Sequence, residues 1–349
     1  MFDLYQIVRP NILALKPYSS ARDEFSGHAS VYLDANENAY GSPLSQNYNR
    51  YPDPHQHTLK QKISSIKGIP VENIFLGNGS DEAIDILYRI FCRPGADNVI
   101  ICPPTYGMYE VSAGINDAAV RRVPLLPSFE LDIHEILRAT DAQSRILFIC
   151  SPNNPSGNSL HKEDIEYLVS RFPGVVVIDE AYINYSRQSS CISLLTEYPN
   201  VVVLQTFSKA WGLAGLRLGM AFASTAIIDL MDKVKPPYNV SENTQQLVSQ
   251  ALTHIDQVNE QIRSTVRERN ALIHTLSSLP IIQKVYPSDA NFLLVKVTDA
   301  HAVYTYLAGH GTIVRDRSKA EHCENCLRIT IGTPEENQTL IAQLKAYST

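Results

Sequence analysis

Long apolar runs are missing from this chain, and none approaches the roughly 20 consecutive residues that a membrane-spanning helix needs. Runs of lysine and arginine, which are typical of proteins that bind nucleic acids or membranes, are missing too, and the net charge is −6. The first ten residues include an acidic Asp3 and lack the apolar core of a secretory signal. We therefore expect a cytoplasmic protein that binds neither nucleic acid nor membrane.

Cysteine is sparse and scattered, with six residues in the 349 of the chain. Cys323 and Cys326 form a Cys-x-x-Cys motif, which both zinc sites and redox sites use. A structural zinc site usually needs a second pair of ligands at a suitable spacing, and no such pair is evident in the sequence. We therefore expect no metal site, while a redox role for the two thiols stays open.

Short aliphatic runs alternate with helical patterns from Pro70 to Phe222. This alternation predicts a mostly parallel sheet that is covered by helices on both faces. A further short strand is predicted at Val31–Asp34. After Lys235 the pattern changes to one or two long helices, short strands and a terminal helix. We predict three parts: an N-terminal arm of residues 1–30, a large α/β domain of residues 31–236 and a small α+β domain of residues 237–349.

Glycines and polar residues follow the predicted strand at 73–76. Gly77 to Glu82 place two glycines and a serine at a strand-to-helix turn. Backbone N–H groups can approach an anion closely at such a turn, and the helix N-terminus carries partial positive charge. The turn therefore suits a phosphate, although an ordinary capped turn would have the same composition.

Other polar and aromatic residues follow further strands, whose carboxyl ends meet at one edge of an open parallel sheet. Asp179 ends an aliphatic strand, where a carboxylate is costly unless a protonated ring nitrogen, an N-cap or a salt bridge pairs it. Tyr182 lies about one turn later and could point the same way. Asn154 can donate a hydrogen bond or form a simple turn, and Tyr106 can stack on a flat ligand or pack in the core.

Lys209 stands between two apolar strands, in the segment T-F-S-K-A-W-G-L-A-G-L-R. A lysine among apolar neighbours can lose its proton and attack a carbonyl carbon. Most lysines that follow a strand are solvated surface groups, so this interpretation depends on the residues around it. Arg217, which lies eight residues later on the predicted returning strand, can reach an anion.

The motifs S-P-N-N-P-S-G, V-I-D-E-A-Y, S-K-A-W-G-L-A-G-L-R-L-G and C-L-R-I-T-I-G occur here in one order. With them the chain resembles the fold-type I pyridoxal-phosphate enzymes, and among these the aminotransferases, from about Val31 onward. The finer motifs L-D-A-N-E-N, Y-P-D-P, G-N-G-S-D-E and P-P-T-Y-G-M-Y are similar to those of the histidinol-phosphate aminotransferase family. The resemblance implies the aspartate-aminotransferase-like α/β fold, with a mostly parallel seven-stranded sheet.

The resemblance also implies pyridoxal 5′-phosphate as the cofactor. Lys209 would bind it covalently and move the substrate's proton, while Asp179 would keep its pyridine nitrogen protonated. Tyr182 and Asn154 would hydrogen-bond its phenolic oxygen, and Tyr106 would stack on its ring. Its phosphate would be held by Gly79, Ser80, Asp81, Ser208, Arg217 and, in a homodimer with shared active sites, by Tyr51 of the partner subunit.

The same resemblance implies transfer of an amino group between L-histidinol phosphate and 2-oxoglutarate, in L-histidine biosynthesis. One site must then accept both a carboxylate and a phosphate ester, and the guanidinium of arginine fits both. Arg328 matches the family's anion-binding arginine, and Arg315 is the expected second phosphate contact. Tyr18, Asn36 and Asn154 are expected to line the same pocket.

Three alternatives stay open on the sequence. An aromatic amino acid aminotransferase would use the same Lys209 and could favour an apolar pocket over Arg315. A threonine-phosphate decarboxylase on the same scaffold would also bind a phosphorylated substrate. A transcription regulator with an aminotransferase-like domain would need a DNA-binding segment, which we do not expect in the short stretch before Val31.

Overall fold

A seven-stranded sheet forms the centre of the protein in the computed structural model, which describes residues 2–20, 24 and 29–347. Its strands are β1 (Ile74–Asn78), β2 (Asn98–Ile101), β3 (Ala119–Arg122), β4 (Ser144–Cys150), β5 (Val175–Asp179), β6 (Val201–Thr206) and β7 (Leu218–Ala223). The strand order is β1-β7-β6-β5-β4-β2-β3, and β7 alone runs against the other six. The predicted mostly parallel sheet of seven strands is confirmed.

Both faces of this sheet are buried, which explains its near-continuous aliphatic strands. Val176 and Ile178 of β5 pack into the core on one face, and Val175 and Val177 pack into the core on the other. The helices before and around the sheet are α1 (Leu4–Ile7), α2 (Pro10–Ala14), α3 (His57–Lys67), α4 (Gly79–Phe91), α5 (Met108–Ile115), α6 (Ile133–Ala139), α7 (Lys162–Arg171) and α8 (Thr225–Val234). Helices α3, α6 and α7 cover the first face, and α4, α5 and α8 cover the second.

A smaller antiparallel sheet of four strands follows later in the chain, in the order β10-β11-β9-β8. Its strands are β8 (Ile282–Val285), β9 (Phe292–Val297), β10 (Arg315–Asp316) and β11 (Cys326–Thr330). The helices of this region are α9 (Glu242–Ala251), α10 (Ile255–Ser277), α11 (Ala300–Gly309) and α12 (Pro334–Tyr347). Among the described residues, no helix combines the length and the apolar character needed to cross a bilayer.

The two faces of the small sheet have different surroundings. Leu293 and Val295 of β9 pack into a core with α10, α11 and α12. Leu294 of β9 and Cys326 of β11 lie on the opposite face and join the core of the large sheet. Because side chains alternate along a strand, residues in step with Leu294 point toward the large sheet. Arg328, which pairs with Leu294, is one of them.

Two local predictions were wrong. Val31–Asp34 forms no strand, and the side chains of Val31 and Leu33 are exposed there, because this segment has no sheet partner among the described residues. Arg217 does not lie on the returning strand. It ends a short 3-10 turn with a left-handed φ of 51°, and β7 begins at the next residue.

The turn between β1 and α4 lies directly on β7. Gly79 has a φ of +73°, which favours glycine, and its N–H donates to the carbonyl oxygen of Arg217 at 2.8 Å. A Cβ at Gly219 of β7 would lie 2.1 Å from the backbone nitrogen of Ser80 and 2.3 Å from the carbonyl carbon of Gly79. The turn can therefore occupy this position only because residue 219 has no side chain.

We predict that Gly219→Ala lowers the free energy of unfolding by roughly 1–3 kcal/mol, because the new methyl group must displace backbone atoms of the turn. Urea denaturation measures this change. Gly309→Ala is the matched control, since a Cβ at Gly309 meets no atom within 4 Å among the described residues. Equal stability of the two variants would contradict the close packing of the turn against β7.

Candidate active site

The carboxyl ends of β4, β5 and β6 open into a cavity. Ten of its lining residues are those that the sequence predicts for the cofactor within one chain: Gly79, Ser80, Asp81, Tyr106, Asn154, Asp179, Tyr182, Ser208, Lys209 and Arg217. Cys150, Ala181 and Thr206 line the cavity in addition. The family resemblance implied these ten residues, and the rule that strand ends meet at one edge had separately singled out Asp179, Asn154 and the turn at 77–82.

An anion site lies at the N-terminus of α4. Gly79, Ser80 and Asp81 form its first turn; the Gly79 N–H donates to the carbonyl oxygen of Arg217, while those of Ser80 and Asp81 have no partner within the helix. A Cβ at Gly79 would lie 2.7 Å from Nη2 of Arg217, so the bare glycine leaves room for this guanidinium. Arg217 Nη2 also lies 3.3 Å from Oδ2 of Asp81. The turn therefore combines backbone donors with a positive charge, as a phosphate requires.

Hydroxyl groups complete this part of the cavity. The Ser208 N–H donates to Oγ1 of Thr206 at 3.1 Å, and the Thr206 hydroxyl donates to Oγ of Ser208 at the same distance. The Tyr106 hydroxyl donates to Oδ1 of Asp81 at 3.0 Å. Thr206 was not predicted from the sequence, although it ends β6 and the strand-end rule would have found it.

Asp179 is a buried carboxylate at the end of β5. Its Oδ2 accepts a hydrogen bond from the Tyr109 hydroxyl at 2.7 Å, and its Oδ1 accepts one from the N–H of Ala181 at 3.1 Å. No ion pair among the described residues includes it. Burial raises the pKa of Asp179 above its usual range, and the two hydrogen bonds oppose this rise. A protonated ring nitrogen in the cavity would supply the missing positive charge.

Lys209 lies in the same cavity, with its Nζ 5.6 Å from the centre of the Tyr182 ring. Burial lowers the pKa of Lys209, and the nearby charge of Arg328 lowers it further, while Asp179 acts in the opposite direction. A lysine with a lowered pKa more readily presents the neutral amine, which can attack a carbonyl carbon or accept a proton.

Arg328 reaches the edge of this cavity from the small sheet. Its Nη1 donates to Oδ1 of Asn154 at 2.6 Å, and its Cζ lies 5.4 Å from the centre of the Phe292 ring. The ring of Tyr182 packs edge-on against the same Phe292, at 5.0 Å. Phe292 therefore orients two predicted site residues, and Asn154 links the arginine to the end of β4.

Two further arginines share the face of Arg328. Arg315 pairs with Arg328 across β10 and β11, and the Arg317 N–H donates to the carbonyl oxygen of Cys326 at 2.9 Å. Because Arg317 lies two residues beyond Arg315, the alternation of a strand places both on one face. Burial and then the charges of Arg317 and Arg315 lower the pKa of Arg328. Nε of Arg317 is buried and makes no hydrogen bond among the described residues.

Arg317 was missed by the sequence reasoning, although Arg315-Asp316-Arg317 shows the alternation that would have revealed it. We call Arg315, Arg317 and Arg328 the arginine group. No ion pair among the described residues includes any of the three. Like charges on one face repel each other, so a bound anion would relieve this repulsion.

Three predicted residues lie away from the Lys209 cavity in this chain. Tyr51 stacks on Tyr238, with ring centres 4.5 Å apart, and lines a separate surface cavity together with Asn36. Tyr18 is 73% exposed. Tyr51 was expected to act in a neighbouring subunit, so its position here leaves that role a prediction. The pocket roles of Tyr18 and Asn36 also stay predictions.

Several solved structures share the fold. A histidinol-phosphate aminotransferase from Sinorhizobium meliloti, solved in complex with pyridoxal-5′-phosphate, matches with a TM-score of 0.80 at 24% identity, over 89% of this chain and 89% of that one. A histidinol-phosphate aminotransferase from Clostridium acetobutylicum matches with a TM-score of 0.79 at 21% identity, over 86% of this chain and 91% of that one. At these identities the likeness shows the fold, which is fold type I, as predicted.

Sequence similarity then gives the family. Residues 29–344 match the family described as aminotransferase class I and II. Curated proteins named histidinol-phosphate aminotransferase are 50% identical to this chain in Cytophaga hutchinsonii and 51% identical in Parabacteroides distasonis, each with 99% of both chains covered. The chain belongs to the class I and II aminotransferase family.

We predict that Asp179→Asn stabilises the cofactor-free protein at pH 7 by about 1 kcal/mol or more, because it removes a buried charge that has no ion-pair partner. The raised native pKa means that the folded wild type binds this proton more tightly than the unfolded chain does. The contribution of Asp179 to wild-type stability should therefore fall as the pH rises from about 3.8 through its native pKa, so the variant should become more stable relative to the wild type. Urea denaturation across this pH range measures it.

Asp97→Asn is the control of opposite sign. Asp97 is also buried, but it pairs with Arg93 and Arg145, and its pKa is lowered. Its charge contributes stability above the unfolded pKa, so this variant should be less stable than the wild type at pH 7. If Asp179→Asn destabilised the cofactor-free protein as Asp97→Asn does, the unpaired state of Asp179 would be refuted.

Proposed function

We propose that this chain is a pyridoxal-phosphate-dependent aminotransferase that transfers an amino group between L-histidinol phosphate and 2-oxoglutarate, giving imidazole acetol phosphate and L-glutamate in L-histidine biosynthesis. One observation carries the choice of substrate: Arg328 donates to Asn154 at the edge of the cavity that contains Lys209 and Asp179, and Arg315 and Arg317 lie near Arg328. The arginine group therefore offers positive charge to the anionic end of a substrate whose amino group lies at Lys209.

The cavity has the donor set that pyridoxal phosphate requires. When bound, this cofactor supplies an electrophilic carbon for the amino group and a ring that accepts electrons. Asp179 would hold the ring nitrogen in its protonated form, Tyr106 would cover the ring, and Tyr182 and Asn154 would bind the phenolic oxygen. The phosphate would be held by Gly79, Ser80, Asp81, Ser208 and Arg217.

Lys209 is the proposed catalytic base and acid. Its lowered pKa gives a neutral amine near neutral pH more readily than an exposed lysine would. Nζ would take the proton from the substrate carbon that carries the amino group and, as the ammonium, would then deliver it to the cofactor carbon C4′. The position of Lys209 on the loop after β6, opposite the end of β5, keeps Nζ within the cavity that Asp179 also lines.

The arginine group explains how one pocket can accept two different anions. Glutamate presents a carboxylate, and histidinol phosphate presents a phosphate ester without a carboxylate. Arg328 is fixed by Asn154 and Phe292 and can bind either anion through its planar fork. Arg315 and Arg317 add charge that a phosphate, with its second negative charge, uses more fully than a carboxylate does.

A homodimer with shared active sites is part of the proposal. Tyr51 matches the tyrosine that, in this family, reaches the cofactor phosphate of the other protomer. Its ring is half exposed and lies on the surface cavity formed with Tyr238, which leaves it free to contact a second copy. We also propose the cytoplasm as the location. All six cysteines are free thiols, which fits a reducing compartment.

The function is tested with purified, cofactor-loaded protein. Histidinol phosphate, phenylalanine and threonine phosphate are each incubated with 2-oxoglutarate, and glutamate and CO₂ are measured. We expect glutamate to form fastest from histidinol phosphate. We expect Lys209→Ala to lower this rate by roughly 10³-fold or more, because the acid–base group is lost.

Each other outcome has a defined meaning. Release of CO₂ from threonine phosphate without glutamate would replace the proposal by a decarboxylase. Faster glutamate formation from phenylalanine would favour an aromatic amino acid aminotransferase. If Lys209→Ala retained a cofactor link that borohydride can trap, Lys209 would not be the cofactor lysine.

We predict that Arg317→Gln raises KM for histidinol phosphate about tenfold and changes KM for glutamate less than about twofold, because only the phosphate carries a second charge for this guanidinium. Arg328→Gln should raise both KM values. Steady-state kinetics with each substrate varied in turn measures these changes.

Lys296→Gln is the control for Arg317→Gln. The substitution removes one positive charge from the same face of the small sheet, because Lys296 pairs with Cys326 across β9 and β11. Lys296 is not among the charges that shift the pKa of Arg328. It should leave both KM values within about twofold. An equal effect of Arg317→Gln on both substrates would refute the distinction between phosphate and carboxylate.

A further inference from the structure

A buried tyrosine lies directly behind Asp179. Tyr109 belongs to the first turn of α5 and has no exposed surface, and its hydroxyl donates to Oδ2 of Asp179 at 2.7 Å. It does not belong to the lining of the Lys209 cavity. Any influence of Tyr109 on a bound molecule therefore acts through a residue that does line the cavity.

Aromatic packing fixes the ring of Tyr109. Phe148 of β4 stacks on it with ring centres 4.6 Å apart and ring planes 12° apart. Tyr88 of α4 stacks on Phe148 in turn, at 5.5 Å, and its hydroxyl donates to the carbonyl oxygen of Tyr109 at 2.6 Å. We call these three residues the aromatic stack. Because Phe148 packs flat against the ring, the position of the Tyr109 hydroxyl is set by the close packing of the rings in the core.

Tyr109 contacts a second cavity residue. The ring of Tyr106 packs edge-on against it, with ring centres 5.6 Å apart and ring planes 83° apart. The Tyr106 hydroxyl in turn donates to Asp81 on the first turn of α4. One buried ring therefore supports both the carboxylate that would face a ring nitrogen and the tyrosine that would cover the ring.

The hydrogen bond from Tyr109 acts on the charge of Asp179. Burial raises the pKa of this carboxyl, and the bonds from Tyr109 and from the N–H of Ala181 lower it. The pKa of Tyr109 itself is raised, mainly by burial and then by the charge of Asp179, so the hydroxyl keeps its proton and remains a donor. Tyr109 therefore supplies one of the two donors that favour the ionised form of Asp179.

We infer that Tyr109 is a positioning residue of the proposed reaction: through the aromatic stack and its hydrogen bond, it holds the Asp179 carboxylate ionised and in place for a protonated pyridine nitrogen. This inference rests on the proposed function, because it needs pyridoxal phosphate in the cavity. A charged ring nitrogen strengthens the ring as an electron acceptor. Loss of the Tyr109 hydroxyl should then slow the chemical step and leave substrate binding nearly unchanged.

Tyr109→Phe tests this inference, with Tyr88→Phe as its matched control. Each removes one buried hydroxyl from the aromatic stack and keeps the ring, but only Tyr109 bonds to Asp179. We expect Tyr109→Phe to lower kcat about tenfold, with both KM values within about twofold. Tyr88→Phe should leave kcat within about twofold.

A second readout needs no substrate. The absorbance of the bound cofactor is titrated with pH in wild type and variants. A positive ring nitrogen disfavours a proton on the nitrogen that joins the cofactor to Lys209. When the ring charge weakens, the pKa of that nitrogen should rise, by roughly half a unit or more in Tyr109→Phe. The control Tyr88→Phe should titrate like the wild type, since its hydroxyl does not reach Asp179.

A double-mutant cycle separates positioning from packing. In the Asp179→Asn background, adding Tyr109→Phe should change neither kcat nor the titration further, because its target carboxylate is gone. Additive effects, or equal effects of Tyr88→Phe and Tyr109→Phe, would overturn the inference and indicate a packing defect. If the wild type bound no pyridoxal phosphate, the proposed function would fail and this inference with it. A wild type that reacts as proposed, with an unchanged Tyr109→Phe titration, would refute Tyr109 alone.

Discussion

The burial of one carboxylate organises this protein. Asp179 ends β5, which lies between β4 and β6 with all five of its residues buried. A charge in that position lowers the stability of the cofactor-free fold, because its hydrogen bonds offset only part of the lost hydration. The surrounding elements are arranged around this charge. Tyr109 binds it from behind, Ala181 binds it through the backbone, and Lys209 lies across the cavity. The buried carboxylate that lowers the stability of the cofactor-free fold is also the one that would bind a positively charged ring.

The small sheet places Arg328 at the proposed site, because side chains alternate between the two faces of its strands. Leu327 and Ile329 of β11 pack with the helices behind the sheet, and Arg328 between them faces the large sheet. The same strand therefore builds a core with one face and carries the arginine of the proposed anion site on the other. Arg315 on the neighbouring strand and Arg317 just beyond its end follow the same alternation, and this accounts for three like charges in one place. The position of these charges depends on the two sheets remaining in contact, which the shared core around Leu294 and Cys326 provides.

The sequence predicted what depends on local rules and missed what depends on distant contacts. Asp179, Asn154 and Lys209 each follow an aliphatic strand, and the geometry of parallel sheets brings such positions together, so they could be predicted. The contact of Tyr109 with Asp179 joins residues 70 positions apart, and no local pattern indicates it. Strand β10 contains two residues and Arg317 lies just beyond its end, so the alternation of Arg315-Asp316-Arg317 is only a weak signal in the sequence. Val31–Asp34 is the reverse case: its composition is that of a strand, but no partner strand is present among the described residues.

The segment before α3 exposes apolar and aromatic side chains. Leu33 is 85% exposed and Tyr40 is fully exposed, and Tyr51 stacks on Tyr238 at the surface. Exposed apolar and aromatic groups that lie close together are typical of a surface that another protein covers. The cavity of this chain already has Gly79, Ser80, Ser208 and Arg217 for a phosphate, but it receives no tyrosine from its own segment. In the proposed dimer, one contact between the subunits would cover these side chains and would also bring Tyr51 of the partner subunit to the phosphate. The exposed segment therefore supports a second copy of the chain, whose Tyr51 would add to the phosphate donors that this chain already has.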